Sequence, residues 1–273
     1  MLSFLLLSLA ADPLPLAEGD RVAFLGGTFV EREQQSGHWE TALTLANRGK
    51  AITFRNLAWS GDTVRGESRA AFDPPAKGYQ RLIELTREVK PTLIVCCYGA
   101  NESFAGESGR ESFRKDYERL LNDIAPTMVR VVLMTPIPFE AGPGMGDVPA
   151  KNASLASYCD TIRSIAAARN ASLIDLFGPL TKAPAKLTEN GLHPTANGYR
   201  QIAKMLVADA KDDPAVRAAI VAKNELFFHR WRPQNETYLF GFRKHEQGKN
   251  AKEIVEFDPL IAKAEEEIRN LMK

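Results

Sequence analysis

The sequence predicts an α/β fold, a parallel sheet with helices on both faces. Two observations carry this. Five short apolar runs, rich in β-branched residues and bounded by turn residues, recur along the chain. Stretches with helical periodicity separate them, which is the pattern of repeated βαβ units. The central runs are also apolar on both faces, as strands are when helices cover both sides.

The five strands are expected at residues 22–25, 52–57, 93–97, 129–134 and 172–176. Helices are expected at 31–47, 78–89, 112–124, 153–168 and 196–210, with a charged helix at 258–273. Adjacent Cys96 and Cys97 should point to opposite faces of one strand and act as buried thiols. Three cysteines make no disulfide framework. The segment 136–149 is rich in Pro and Gly and reads as a loop over a cleft. Residues 227–233 and 238–245 form an aromatic and basic arm, expected to run extended against the domain or against a second copy. The domain plan is therefore a lead-in at 1–19, a main domain at 20–210 and a helical and aromatic extension at 211–273.

Composition excludes several classes. The 273 residues are 44% hydrophobic and 25% charged, with a formal net charge of +1. That is globular composition without the electrostatic footprint of a nucleic-acid binder. The apolar run 2–11 is too short to span a bilayer and lacks a basic n-region. A signal peptide and a periplasmic or secreted location are the expectation; an apolar lead-in to a cytoplasmic protein is the alternative. No stable membrane insertion is expected. The four histidines are scattered and no cluster has metal-ligand spacing, so neither cofactor nor metal is expected.

Parallel sheets place their sites at the carboxyl ends of the strands. The residues there are Leu25-Gly26-Gly27-Thr28, then Asn56-Leu57-Ala58-Trp59-Ser60-Gly61-Asp62-Thr63, then Tyr98-Gly99-Ala100-Asn101-Glu102-Ser103. Asn190-Gly191-Leu192-His193-Pro194-Thr195 precedes the fifth helix. Two other patterns are weak. Residues 66–70 loosely match a nucleophile elbow but follow no strand directly. Residues 142–146 are Gly-rich but open no helix, as a phosphate cradle would.

Four blocks in this order, over about residues 20–210, resemble the SGNH (GDSL-like) hydrolases. The resemblance implies a flavodoxin-like three-layer α/β/α fold with a five-stranded parallel sheet. It also implies hydrolysis of carboxylic esters, with carbohydrate O-acetyl esters among the candidates. Thr28 would be the nucleophile and His193 the base that takes its proton. The backbone N–H groups of Thr28 and Gly61 and the Asn101 side-chain amide would form the oxyanion hole. Two positions depart from the family pattern. Thr28 stands where the family has Ser, and β-branching puts a methyl beside the attacking oxygen. Asn190 stands where the family has Asp; its carbonyl could accept a bond from the imidazole but cannot neutralise an imidazolium. Gly27 stands where the family usually has Asp. Asp62, Glu102 and Asp175 are nearby carboxylates that could replace the missing acid or simply bind backbone. The competing reading is a ligand-binding pseudoenzyme that keeps the cleft without turnover. Thr28 and Asn101 could also be mere helix caps, Gly61 a turn glycine and His193 a loop residue.

Overall fold

The computed structural model describes residues 14–183 and 185–273. The apolar run 2–11, where a signal peptide is expected, lies outside the described residues.

Five parallel strands form one sheet in the order β2-β1-β3-β4-β5. They are β1 (Arg21–Gly26), β2 (Thr53–Asn56), β3 (Leu93–Cys97), β4 (Arg130–Met134) and β5 (Ser172–Ile174). This is the doubly wound order in which the chain reverses direction beside β1, leaving a crevice between β1 and β3. Alternation along the strands feeds two cores. Val22, Phe24, Val95, Cys97 and Met134 face one layer, with α1 (Thr28–Ser36), α2 (His38–Ala46) and α7 (Ala196–Leu206). Ala23, Leu25, Ile94, Cys96 and Leu133 face the other, with α3 (Pro75–Glu88), α4 (Gly106–Ile124) and α5 (Val148–Arg169). Cys96 and Cys97 thus lie in different cores, and both are free.

Two expectations are corrected. The predicted helix 31–47 is two helices, α1 and α2, divided at Gly37. There the backbone is left-handed, at φ 67°, and an added Cβ would sit 2.9 Å from Val221 Cγ2. A smooth apolar period cannot register such a break, because it depends on another helix approaching closely. The second correction concerns residues 227–231, which are the end of a helix, α8 (Pro214–Trp231), and not an extended arm. Asp213 caps α8 by accepting from Ala215 and Val216, and Pro214 sits in its first turn. Val216, Ile220, Lys223, Phe227 and Trp231 form its buried stripe. The stripe has helical spacing, but a lysine in its middle hides it.

After the single turn α6 (Phe177–Leu180), α7 and α8, the chain makes two more turns, α9 (Glu236–Leu239) and α10 (Lys244–Gln247). It ends in α11 (Phe257–Leu271). Helix α8 packs on α1, α2 and β2, while α11 packs on α8. Phe227, Trp231 and Ile261 join the second core, and Val216, Ile220 and Ile268 form a small cluster with Leu45. Lys223 is buried here, donating to Glu40 Oε1 at 2.6 Å and to the Phe54 carbonyl at 3.3 Å. Burial lowers its pKa; the charge of Glu40 opposes that. Among the described residues, no helix is long and apolar enough to cross a membrane.

Candidate active site

The first strand ends at Gly26, where the backbone passes so close to β3 that an added Cβ would lie 2.6 Å from the Cys97 carbonyl oxygen. Gly27 is the N-cap of α1 and Thr28 its first residue, at the electropositive helix end. Thr28 is therefore not the cap. Its Oγ1 accepts the Gly61 N–H at 3.1 Å. Gly61 itself has φ 74°, a left-handed conformation that glycine adopts without strain. The Asn101 side chain caps nothing either; its Nδ2 donates to the Asp62 carbonyl at 2.9 Å. Thr28 and Gly61 are thus joined by a hydrogen bond across the loops after β1 and β2, and Asn101, on the loop after β3, bonds the same β2 loop one residue beyond Gly61, at Asp62.

Those loops are held from behind. Glu102 accepts the Val64 N–H at 2.9 Å on one oxygen and the Gly99 N–H at 2.8 Å on the other, bridging the β2 and β3 loops. Burial pushes its carboxyl up to about 7, against the pull of these donors. The fully buried Asp62 carboxylate meets Arg69 Nε at 2.8 Å, and Arg69 also donates to the Leu57 carbonyl at 2.8 Å. Burial still raises the Asp62 pKa, although the charge of Arg69 lowers it. Arg69 sits in the 66–70 segment that only loosely matches a nucleophile elbow, and no local pattern announces its role. A fully buried arginine needs an acid partner, but nothing local marked it as buried.

The fourth block is built differently. An isolated antiparallel bridge joins Thr188 to Pro194, and Glu140 accepts the backbone N–H groups of Leu187 and Thr188, both at 2.8 Å. Within the turn, Asn190 Oδ1 accepts the N–H groups of Leu192 at 3.1 Å and His193 at 3.0 Å. These two donors fix which end of the amide is oxygen. Asn190 Nδ2 is left 3.0 Å from His193 Nδ1. An amide nitrogen can only donate there, so Nδ1 accepts and the ring proton sits on Nε2. This corrects the expectation that the Asn190 carbonyl would accept from the imidazole. Burial lowers the His193 pKa, helped by the nearby charge of Arg32 and opposed by Glu189. Arg32 and Glu189 pair at 2.9 Å.

Thr28, Asn101 and His193 line one cleft of about 150 Å³, with Phe29, Ile137 and Phe139 supplying apolar wall. The 136–149 loop supplies that wall at its start, from Pro136 to Phe139. Among the described residues, no hydrogen bond joins Thr28 to His193. The three alternative acids are committed elsewhere: Asp62 to Arg69, Glu102 to backbone, and Asp175 to Arg163, Thr135 and the Gly178 N–H. Among the described residues, no group of three or more His, Cys, Asp or Glu is placed to hold a metal.

The order 2-1-3-4-5, with a cleft at the carboxyl ends of the strands, defines a flavodoxin-like α/β/α fold of the SGNH hydrolase type. Residues 19–201 match the GDSL-like Lipase/Acylhydrolase family, and the chain belongs to it. Solved structures agree on the fold. An alpha/beta hydrolase enzyme from the metagenome of Lake Arreo, Spain, aligns with TM-score 0.55 and 22% identity, over 71% of this chain and 95% of that one. A catalytic mutant of an acetylxylan esterase from Geobacillus stearothermophilus aligns with TM-score 0.55 and 17% identity, over 73% and 98%. A gut microbial diltiazem-metabolizing enzyme aligns with TM-score 0.52 and 18% identity over 71% of this chain, which spans only 47% of that larger protein. Comparison with curated proteins finds no match.

Proposed function

We propose that the cleft cleaves small-acyl esters of carbohydrate-like alcohols, with Thr28 as nucleophile and His193 as base, at a rate that Asn190 restrains. In this reading Thr28 Oγ1 attacks the ester carbonyl carbon and its proton passes to His193 Nε2. The carbonyl oxygen becomes an oxyanion held by the N–H groups of Thr28 and Gly61 and by Asn101 Nδ2. The alkoxide then leaves with the proton from His193, and water, deprotonated by the same imidazole, releases the acid and regenerates Thr28.

One observation carries the reading: Thr28 Oγ1 sits 3.1 Å from the Gly61 nitrogen, at the helix end where an oxyanion would form. The cleft volume suits a short acyl group, and Phe104, 58% exposed and stacked on Phe139, offers a rim for a sugar face. The restraint follows from the imidazole. To accept a proton at Nε2, His193 must carry its hydrogen on Nδ1, and Asn190 Nδ2 opposes that tautomer. The same observation favours a second reading, in which the cleft binds a ligand through its N–H donors without turning it over.

Turnover of an aryl acetate and of acetylated xylooligosaccharides separates the two. Thr28→Ala and His193→Ala should each reduce the wild-type rate at least about tenfold. Identical rates in all three proteins would remove the hydrolase reading. Labelling of Thr28 by a fluorophosphonate, located by mass spectrometry, identifies the nucleophile directly.

A further inference from the structure

The loop that presents Gly61 is gripped on its outer side by a residue from beyond the family's matched segment. Arg232 follows α8 and lies outside residues 19–201. Its guanidinium carbon lies 3.5 Å from the centroid of the Trp59 ring. Its Nη1 donates to Glu31 Oε1 at 2.5 Å. The other Glu31 oxygen accepts from Ser60 Oγ. Glu31 lies in the first turn of α1, the helix that begins with Thr28. Arg232 therefore touches both neighbours of the oxyanion site at once, the residues preceding Gly61 and the helix carrying Thr28.

The contact is part of a stack. Trp231 meets the Trp59 ring edge-to-face at 5.8 Å, and the Arg69 guanidinium lies 5.5 Å from the same ring. Arg69 fixes Asp62, on the far side of Gly61, and the Leu57 carbonyl. The segment 57–62 is thus held by Arg69 from within the domain and by Arg232 from the extension. A planar guanidinium can stack on an indole and bond a carboxylate simultaneously, and a lysine cannot reproduce both.

We propose that Arg232 is a positioning residue for the oxyanion hole. Through Trp59, Ser60 and Glu31 it sets the Gly61 N–H relative to Thr28. The C-terminal extension is then a working part of the ester-cleaving site and not only a covering for β2. The catalytic part of this inference rests on the proposed hydrolase function; the positioning part does not.

The test uses the full chain and two readouts. In Arg232→Ala, amide hydrogen exchange in peptides spanning 57–64 should quicken relative to wild type, and peptides from the β3 to β5 core should not change. Arg232→Lys should behave like Arg232→Ala at 57–64, because the stacked contact is lost even though charge remains. Turnover of the aryl acetate should fall about tenfold in kcat with KM within about twofold, since an oxyanion donor acts on the transition state. Unchanged exchange at 57–64 in Arg232→Ala would overturn the proposal. So would quicker exchange confined to 214–243, or, where the wild type turns over ester, a lowered Tm with unchanged kcat, the signs of an arm that is only stapled down. If exchange quickens at 57–64 while no variant and no wild type turns over ester, the positioning role stands and the hydrolase reading falls.

Discussion

Gly61 and Asn101 stand on loops braced by buried groups, whereas His193 stands on a surface turn tied by Glu140 and organised by Asn190. Behind the first pair lie a fully buried Asp62–Arg69 ion pair and a buried Glu102 that bridges two backbone N–H groups. Around the second, the bonds that orient the imidazole are local to residues 190–193, Glu140 ties the turn from outside, and His193 remains partly exposed. In the first region a changed side chain leaves a charge or donor buried without a partner. In the second a single substitution can invert the chemistry while the turn keeps its backbone bonds. In the proposed ester-cleaving site, that asymmetry would let the oxyanion donors persist while the acid–base positions Thr28 and Asn190 depart from the family pattern.

The largest effect expected from breaking the comparison is a gain. Thr28→Ser with Asn190→Asp removes the methyl beside the proposed nucleophilic oxygen and places an acceptor opposite His193 Nδ1. In a serine protease the reverse exchange at the acid costs about 10⁴ in turnover through the wrong tautomer. Turnover of the aryl acetate should rise roughly 10³–10⁴-fold on that scale. A rise below tenfold in a folded protein would mean the restraint lies elsewhere than Asn190. Next in size is stability. Arg69→Met leaves Asp62 buried without its partner and should cost about 3–5 kcal/mol in urea unfolding. Arg163→Met, whose partner Asp175 is about a third exposed, should cost no more than about 1 kcal/mol. Equal costs would show that burial does not set the worth of these pairs, and would remove the argument that the buried Asp62–Arg69 pair braces the Gly61 loop. Smaller again, Asn101→Ala in the activated background should lower kcat about 10²-fold, with KM little changed. A loss in KM alone would make Asn101 a substrate-binding group.

Where the sequence was informative, its signals were local. Glycines at strand ends, apolar runs and the block order each occupy a few adjacent residues, so the five strands and the placement of Thr28, Asn101 and His193 at one cleft, with Gly61 bonded to Thr28, could be read there. What escaped was pairwise and distant. Glu31 meets Arg232 across 201 residues, and no pattern within either segment announces the other. The Lys223 stripe looked broken because its lysine is buried only through Glu40 and the Phe54 carbonyl. The orientation of Asn190 depends on which of its atoms meets the backbone N–H groups of Leu192 and His193, a fact of turn geometry and not of residue type.

The pH profile sharpens the contrast most finely, because it reads the base alone. Burial holds the His193 pKa below its ordinary value, and the positive charge of Arg32 adds to that. A general base works in its neutral form, so kcat/KM should climb as pH rises through this lowered pKa and be level by neutrality. Replacing Asn190 by Asp sets a carboxylate against Nδ1, which stabilises the imidazolium and raises the pKa. The ascending limb of Asn190→Asp should therefore lie at higher pH than that of wild type, even as its plateau stands far above. Arg32→Gln removes a positive neighbour and should move the limb the same way by a smaller amount, without lifting the plateau. A limb that ignores both substitutions would show that the titrating base is not His193. Glu102, whose carboxyl burial brings to about 7, would then be the next group to replace, as Glu102→Gln.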